Sequence, residues 1–379
     1  MPAAKNRFDL QELAGAFGDL GTLIPFVVAY VSILKMDPAS LFLGFGATLI
    51  AAGVYYRTPF PVQPMKAIGA AAVTQTAGVV ALTPGIVIGA GVATSIIWLT
   101  LGLTGFAKRF ATWIPKPALL GVVMGLGFSF MLEGIRMMAQ QWIVSACLLA
   151  LTFVFLARSR VPAMVLLLIA GAGVALVQQP TLAGDLAAIR PALRLPEFAW
   201  PTLGWNDLWM GAILLALPQL PMTFGNALIA ITEENNRLFP DRPVSEREVA
   251  VSTGLLNLWS SALGGIPMCH GAGGMAGHVK FGARTGGSSI MLGALLLTAG
   301  LLFADSIGTL FRLFPPSVLG VILFLAGTEL ATASRDHGPD KIDRFLVLAT
   351  AAFAVLNVGI AVIFGFAAYH TSKRGWLKV

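Results

Sequence analysis

Arg57-Thr-Pro-Phe-Pro-Val-Gln-Pro-Met-Lys-Ala-Ile-Gly-Ala-Ala-Ala-Val-Thr-Gln-Thr-Ala-Gly78 joins a proline-studded run to a small-residue stretch and places one lysine in apolar surroundings. Thr58 to Gln63 is too rich in proline to be helical, so it reads as extended chain covering about 20 Å at ~3.3 Å per residue. Proline is well tolerated at a helix start, because its missing N–H would be an orphan donor there anyway. Pro64 is therefore expected to open a helix of about 24 Å that runs to Val79, with Lys66 in its first turn. Extended chain entering from Arg57 and a helix completing the crossing make a broken membrane span. The free N–H groups of Met65, Lys66 and Ala67, the positive end of the helix and the Lys66 charge would then converge on an anion site near mid-bilayer, with the Gln63 amide beside them. The bland alternative is a lysine snorkelling to the inner surface, and the estimated depth of Lys66 argues against it.

Composition supplies the solvent for this reading. Of 379 residues, 56% are hydrophobic and 11% charged, with mean hydropathy +0.81, the balance of an all-α polytopic membrane protein. Apolar stretches mostly of about 17 to 25 residues, the length that crosses hydrocarbon as a helix, give fourteen membrane elements. They lie near residues 12–34, 38–56, 64–79, 83–107, 117–135, 141–157, 161–178, 207–232, 245–263, 268–281, 286–304, 313–331, 343–356 and 357–371. The third and tenth are too short or too glycine-rich for ordinary spans, and the last two could be one helix by hydropathy. Cys147 and Cys269 both sit in apolar stretches, so no disulfide framework is expected. Met1 to Gln11 lacks the cleavage site of a removable signal.

Charge then orients the spans. An even count puts both termini on one side. If that side is cytoplasmic, most of the 25 Lys and Arg fall in inside loops, among them Lys108, Arg109, Arg237, Arg242 and Arg284. The outside loops hold Lys35, Arg136, Arg190, Arg194 and Arg312, and Lys66 is left inside the membrane. This obeys the positive-inside rule and fits a bacterial inner membrane with both termini cytoplasmic. The net charge of +7 then reflects topology and contact with anionic lipid headgroups. Nucleic-acid binding is excluded, since no soluble face clusters basic residues with aromatics.

The polar connection 179–206 separates 1–178 from 207–379, seven elements in each half. Phe17-Gly18-Asp19 returns as Phe224-Gly225-Asn226, and Pro64-Met65 returns as Pro267-Met268. An odd number of spans inverts the second copy, so the halves are expected to be inverted repeats with the substrate between discontinuous helices at their interface.

The tenth element, Leu263-Gly-Gly-Ile-Pro-Met-Cys-His-Gly-Ala-Gly-Gly-Met-Ala-Gly-His-Val-Lys280, repeats the pattern of loop, proline and small-residue helix. Cys269, His270 and Gly271 fall at its start, and His270 is a candidate substrate contact or proton-sensitive group. Gly271 to Gly277 is not a dinucleotide fingerprint, because no strand or soluble βαβ unit surrounds it. His270 and His278 would lie about 12 Å apart along one helix, too far to share a metal ion. In the first span, Asp19 needs a partner or a proton and is a candidate coupling residue. Gln219, Thr223 and Asn226 in the eighth could line the same cavity or simply join helices.

Phe17-Gly-Asp-Leu-Gly-Thr22, Pro61-Val-Gln-Pro-Met-Lys66, Pro218-Gln-Leu-Pro-Met-Thr223 and Cys269-His-Gly-Ala-Gly-Gly-Met-Ala-Gly-His-Val-Lys-Phe-Gly-Ala-Arg284 closely resemble the molybdate transporter family of plants, algae and bacteria, a branch of the sulfate permease superfamily. The resemblance covers nearly the whole chain. It implies a seven-plus-seven inverted repeat, a core domain moving against a gate domain, each built from both repeats, and uptake of a tetrahedral oxyanion, molybdate first and sulfate second, between the third and tenth helix starts. Sulfate permeases typically continue into a cytoplasmic STAS domain; this sequence ends at Val379, so none is expected. Proton coupling through Asp19 or His270 is attractive because dianion import opposes an inside-negative potential. No cofactor is expected, and a homodimer is compatible with this reading. A passive anion channel and a nucleobase permease are the alternatives, the second disfavoured by Lys66. No HExxH or GxSxG motif suggests an enzyme.

Overall fold

Proline and glycine set the places where this apolar chain stops being a regular helix. The structure is a computed structural model and describes residues 5–74, 76–77, 80–106, 109, 115–158, 163–196, 203–332 and 340–375. Helix α1 (Leu10–Ala16) passes through a 3-10 turn at Phe17–Asp19 into α2 (Leu20–Val28), which contains Pro25 and widens into a π turn at Ala29–Ile33. The first span, expected as one helix over 12–34, is therefore interrupted. Then come α3 (Pro38–Tyr56), strand β1 (Gln63–Pro64), α4 (Lys66–Thr74), a hairpin of β2 (Thr76–Ala77) and β3 (Val80–Ala81), α5 (Pro84–Thr104), α6 (Lys116–Ala139), α7 (Trp142–Arg158) and α8 (Ala163–Gln178). The connection expected as a polar linker carries a short helix, α9 (Thr181–Ala187).

In the second half, α10 (Trp205–Met210), α11 (Leu217–Phe224) and α12 (Ile231–Leu238) are joined by π turns at Gly211–Ala216 and Gly225–Ala230. Pro218 and Pro221 remove backbone donors between those two turns. After them come α13 (Glu246–Ala262), β4 (Met268–Cys269), α14 (Ala272–Lys280), α15 (Gly287–Phe303), α16 (Ile307–Phe311), α17 (Pro316–Thr332), α18 (Lys341–Leu356) and α19 (Val358–Lys373). Asn357 is extended at φ −160° and caps α19 by accepting the Ile360 N–H, so the last two elements are separate helices. Among the described residues, five helical stretches are individually long and apolar enough to cross a membrane: Pro38–Tyr56, Pro84–Thr104, Lys116–Ala139, Trp205–Leu238 and Gly287–Phe311. The other expected spans are realised as shorter helices, or as the broken first, third and tenth elements.

The packing pattern carries a two-fold relation. Helix α3 packs on α15, α5 on α13, and α6 on α17. Exchanging the repeats turns the first pair into the second and the third pair into itself. Strands β1 and β4 pair antiparallel, with Gln63 opposite Cys269 and Pro64 opposite Met268. The next rung is the Met65 N–H donating to the Pro267 carbonyl at 3.0 Å. Since Pro64-Met65 and Pro267-Met268 are the repeated dipeptides, these last two rungs are images of each other and the pseudo-axis passes between them. The chain is a seven-plus-seven inverted repeat.

Small residues let the paired helices approach. A Cβ on Gly46 or Gly293 would lie 2.6 Å from the other glycine's carbonyl oxygen, and on Gly134 or Gly320 the distance is 2.7 Å. Without a hydrophobic drive between helices in lipid, such close approach is what holds them. At one end of the bundle Arg194 pairs with Asp37 at 2.8 Å and Asp305 at 2.6 Å, and Arg312 with Asp185 at 2.7 Å. Exposed pairs of this kind stabilise little. They do bring together the loops that the charge distribution assigned to a single side.

Replacing Gly293 by Leu should force α3 and α15 apart and destabilise the fold by about 1–3 kcal/mol. A lower melting midpoint in detergent checks this, and Gly308→Leu, where a Cβ meets nothing within 4 Å, is the silent control.

Candidate functional site

Extended backbone inside a helical bundle must find partners for its polar groups, and side chains from three helices and from His270 supply them here. Thr58 donates to Asn235 Oδ1 at 2.8 Å, Ser289 donates to the Phe60 carbonyl at 2.9 Å, and His270 Nδ1 lies 2.8 Å from the Pro61 carbonyl. On the facing segment Ser260 donates to the Ile266 carbonyl at 2.8 Å. Asn257 grips Met268 from both sides, accepting its N–H at 2.9 Å and donating to its carbonyl at 2.6 Å. Each segment is therefore fixed before it turns into its short helix.

Pro64 does not open the helix. It lies in β1 opposite Met268, and α4 begins at Lys66 and is assigned through Thr74, where a helix to Val79 was expected. Residues 75 and 78–79 are outside the described residues, and Thr76–Ala77 belongs to a hairpin. The strand pairing keeps Pro64 extended, which postpones the first helical turn. Nor are all three expected N–H groups free. That of Met65 bonds to Pro267, and that of Ala67 is taken by Gln219 Oε1 at 2.8 Å. Gln219 donates in turn to Thr223 at 3.0 Å, so this pair serves as a cap on α4 supplied by α11. Lys66 is 7% exposed, and among the described residues no partner is found for its ammonium.

The second helix start is arranged differently. Gly271 is the N-cap of α14 and offers no side chain, so Ala272 and Gly273 begin the helix without a side-chain cap, Gly273 exposed. A Cβ on Gly271 would overlap Gln63 Oε1 and lie 3.3 Å from Asn226 Nδ2. Gln63 from β1, Asn226 from the π turn after α11 and the start of α14 thus meet at one point. Cys269 and Met65 are buried in the crossing itself. His270 precedes α14, so it does not share a helix with His278. Its ring is buried, edge-on to Phe60 and Tyr56, with Nε2 2.8 Å from the Ser252 hydroxyl. Because a carbonyl only accepts, Nδ1 carries a proton toward Pro61, while Nε2 faces the Ser252 hydroxyl. Both nitrogens are engaged in holding the extended segment. The Asp19 backbone lies in the 3-10 turn of the first span, and its side chain is outside the described residues.

Several residues that matter to this geometry carry no motif. Asn257, Ser252, Ser260 and Ser289 are polar positions in apolar helices, and that inward polarity was the available signal. Glu12, fully buried, accepts the N–H groups of Arg284 at 2.9 Å and Thr285 at 3.0 Å, tying α1 to the chain after α14.

Inverted repeats that cross as extended segments, each leading into a short helix, are the architecture of an integral membrane transporter. The profile of the family described as "Molybdate transporter of MFS superfamily" matches residues 11–130 and 211–330, one stretch in each half, and the chain belongs to this family. It is 32% identical to Molybdate transporter 2 of Arabidopsis thaliana over 93% of this chain and 85% of that protein. It is 30% identical to Molybdate transporter 1 of the same plant over 90% and 83%. Among solved structures, the transmembrane domain of the cyanobacterial bicarbonate transporter BicA superposes with TM-score 0.68 at 17% identity, covering 95% of this chain and 98% of that one. Murine Slc26a9 in its inward-facing state gives 0.65 at 11% identity, covering 100% and 70%. The family description names the MFS superfamily, whose two halves are parallel repeats. The fold found here is instead that of these two anion-transporter structures.

Gly271→Ala should push Gln63 aside and destabilise the crossing by about 1–3 kcal/mol. Adding Gln63→Ala removes the obstructing oxygen, so the double variant should regain most of the loss in melting midpoint.

Proposed function

We propose that the chain imports molybdate, with sulfate second, as a secondary transporter working by alternating access. The anion would sit beside the strand crossing, between the starts of α4 and α14. Lys66 carries this reading: a buried cation with no described partner, placed immediately after β1. A dianion entering low-dielectric surroundings loses hydration worth far more than hydrogen bonds to neutral groups restore. The ammonium of Lys66, the uncapped start of α14 and the Asn226 amide together replace part of that shell. The names of the Arabidopsis relatives support molybdate as the first candidate.

One lysine leaves a dianion only half neutralised. Dianion import against an inside-negative potential costs ~2.3 kcal/mol per charge per 100 mV, which favours a co-transported proton. With both nitrogens of His270 occupied by Ser252 and Pro61, Asp19 is the better proton carrier of the two candidates. The positive-inside distribution supports an inner-membrane protein with both termini cytoplasmic.

Competitive binding of molybdate, tungstate, sulfate and phosphate to purified protein tests the site. A charge-assisted contact of about 1.5–3 kcal/mol predicts roughly 10- to 100-fold weaker molybdate binding in Lys66→Ala, with Lys66→Arg in between. Unchanged affinity in Lys66→Ala would remove the proposal. In proteoliposomes, counterflow of labelled molybdate separates a carrier from a channel. Uptake should rise with an acid-outside gradient and lose that dependence in Asp19→Asn; indifference of the wild type to the gradient rejects proton coupling.

A further inference from the structure

Outside the site, a groove of ≈ 770 Å³ lies between α3 and α13, within the roughly 300–1,000 Å³ range of small-molecule sites. Its walls are Ala47 and Ala51 on one side and Val251, Leu255 and Trp259 on the other. Leu255 is 54% exposed and Trp259 47%, so the groove opens on the outer surface of the bundle, where a membrane protein meets lipid. One end closes on Tyr55, Arg247 and Glu248. From Arg247 to Trp259 helix α13 climbs about 18 Å at ~1.5 Å per residue, close to one leaflet of a hydrocarbon core ~30 Å thick.

The polar end is built with both signs of charge. Glu248 is held in place, accepting the Ser245 N–H and hydroxyl at 2.8 Å each, with the Tyr55 hydroxyl 3.4 Å away. Arg247 is exposed; among the described residues its hydrogen-bond contact is a long one, 3.5 Å to the Leu103 carbonyl, which leaves guanidinium donors available. A fixed carboxylate beside an available guanidinium suits a headgroup that carries a phosphate and an N–H-bearing cation together.

We propose that this groove seats one aminophospholipid, its phosphate on Arg247, its primary ammonium on Glu248 and one acyl chain along the alanine and Leu255–Trp259 walls. A choline headgroup has no N–H for Glu248, and a headgroup without a cation sets like charge against it. The chain would also lie against Ser252, whose hydroxyl contacts His270, the residue that holds the Pro61 carbonyl. The seat is therefore the outer wall behind the strand crossing.

Native mass spectrometry of the full chain in mild detergent tests this, with equal amounts of phosphatidylethanolamine, phosphatidylcholine and phosphatidylglycerol of identical chains. One phosphatidylethanolamine should be retained per chain, at several-fold lower lipid concentration than the other two. Ala51→Trp and Leu255→Trp, both on the outward face, should abolish that retention by filling the wall. Arg247→Gln, at an exposed position, should weaken retention of phosphatidylethanolamine and phosphatidylcholine alike, since both present a phosphate to Arg247, and should leave the preference between them. Equal retention of the three headgroups, retention unchanged in both tryptophan variants, or a second copy of the chain cross-linking through Leu255→Cys would each overturn the proposal. None of these readouts depends on what the protein transports.

Discussion

Hydrocarbon offers an extended backbone no water, so the crossing of 58–65 with 266–270 has to be satisfied by protein alone. An unpaired peptide group there costs several kcal/mol, and neither segment is short enough to leave its groups at an interface. The consequences spread outward. Asn257, Ser260, Ser289 and His270 stand as polar points inside apolar surroundings because a particular carbonyl or N–H of the crossing needs each of them, and Asn235 accepts from the Thr58 hydroxyl beside them. The helices bearing these residues are then fixed in rotation, with their glycine faces turned to their partners.

The two-fold relation supplies the frame, and departures from it supply the chemistry. The repeated dipeptides Pro64-Met65 and Pro267-Met268 put the residues that follow them, Lys66 and Cys269, in equivalent places, one basic and one neutral. The start of α4 is capped from α11 by Gln219, whereas the start of α14 has a glycine cap with no side chain. One helix start thus contributes a full charge and the other contributes uncapped N–H groups. In the proposed site, a symmetric pair of lysines would hold a dianion more tightly and release it more slowly than this unequal pair.

The breaks in the spans follow from the same physics. Phe17-Gly18-Asp19 and Phe224-Gly225-Asn226, related by sequence, both fall where regular α-helix gives way, one to a 3-10 turn and one to a π turn. A Cβ on Gly18 would lie 2.5 Å from the Gly277 carbonyl oxygen, so that break seats the first span against α14. Irregular turns of this sort recur at functional sites because they free backbone groups and re-aim side chains.

Fourteen apolar elements, the inverted halves, the broken third and tenth spans and the out-of-place lysine were legible in the chain alone, because they depend on composition, proline chemistry and local periodicity. Polar residues in the broken or proline-bearing spans brought Gln63, Lys66, Gln219 and Asn226 into view as candidates, and the glycine-rich start of the tenth element brought Gly271. The identity of the groups that satisfy the crossing was not legible. Nothing local distinguishes Asn257 or Ser289 from any other polar residue in a membrane helix, and a backbone N–H at a helix start looks free until its tertiary partner is known. Thus Pro64 seemed a helix start and became a strand residue, and the Ala67 N–H seemed open and is capped from another repeat. Sequence determined where the chain must break, since that is set by each residue's own donors and torsions. Only the tertiary structure decided what meets at the breaks, since antiparallel pairing and helix contact join residues some two hundred positions apart.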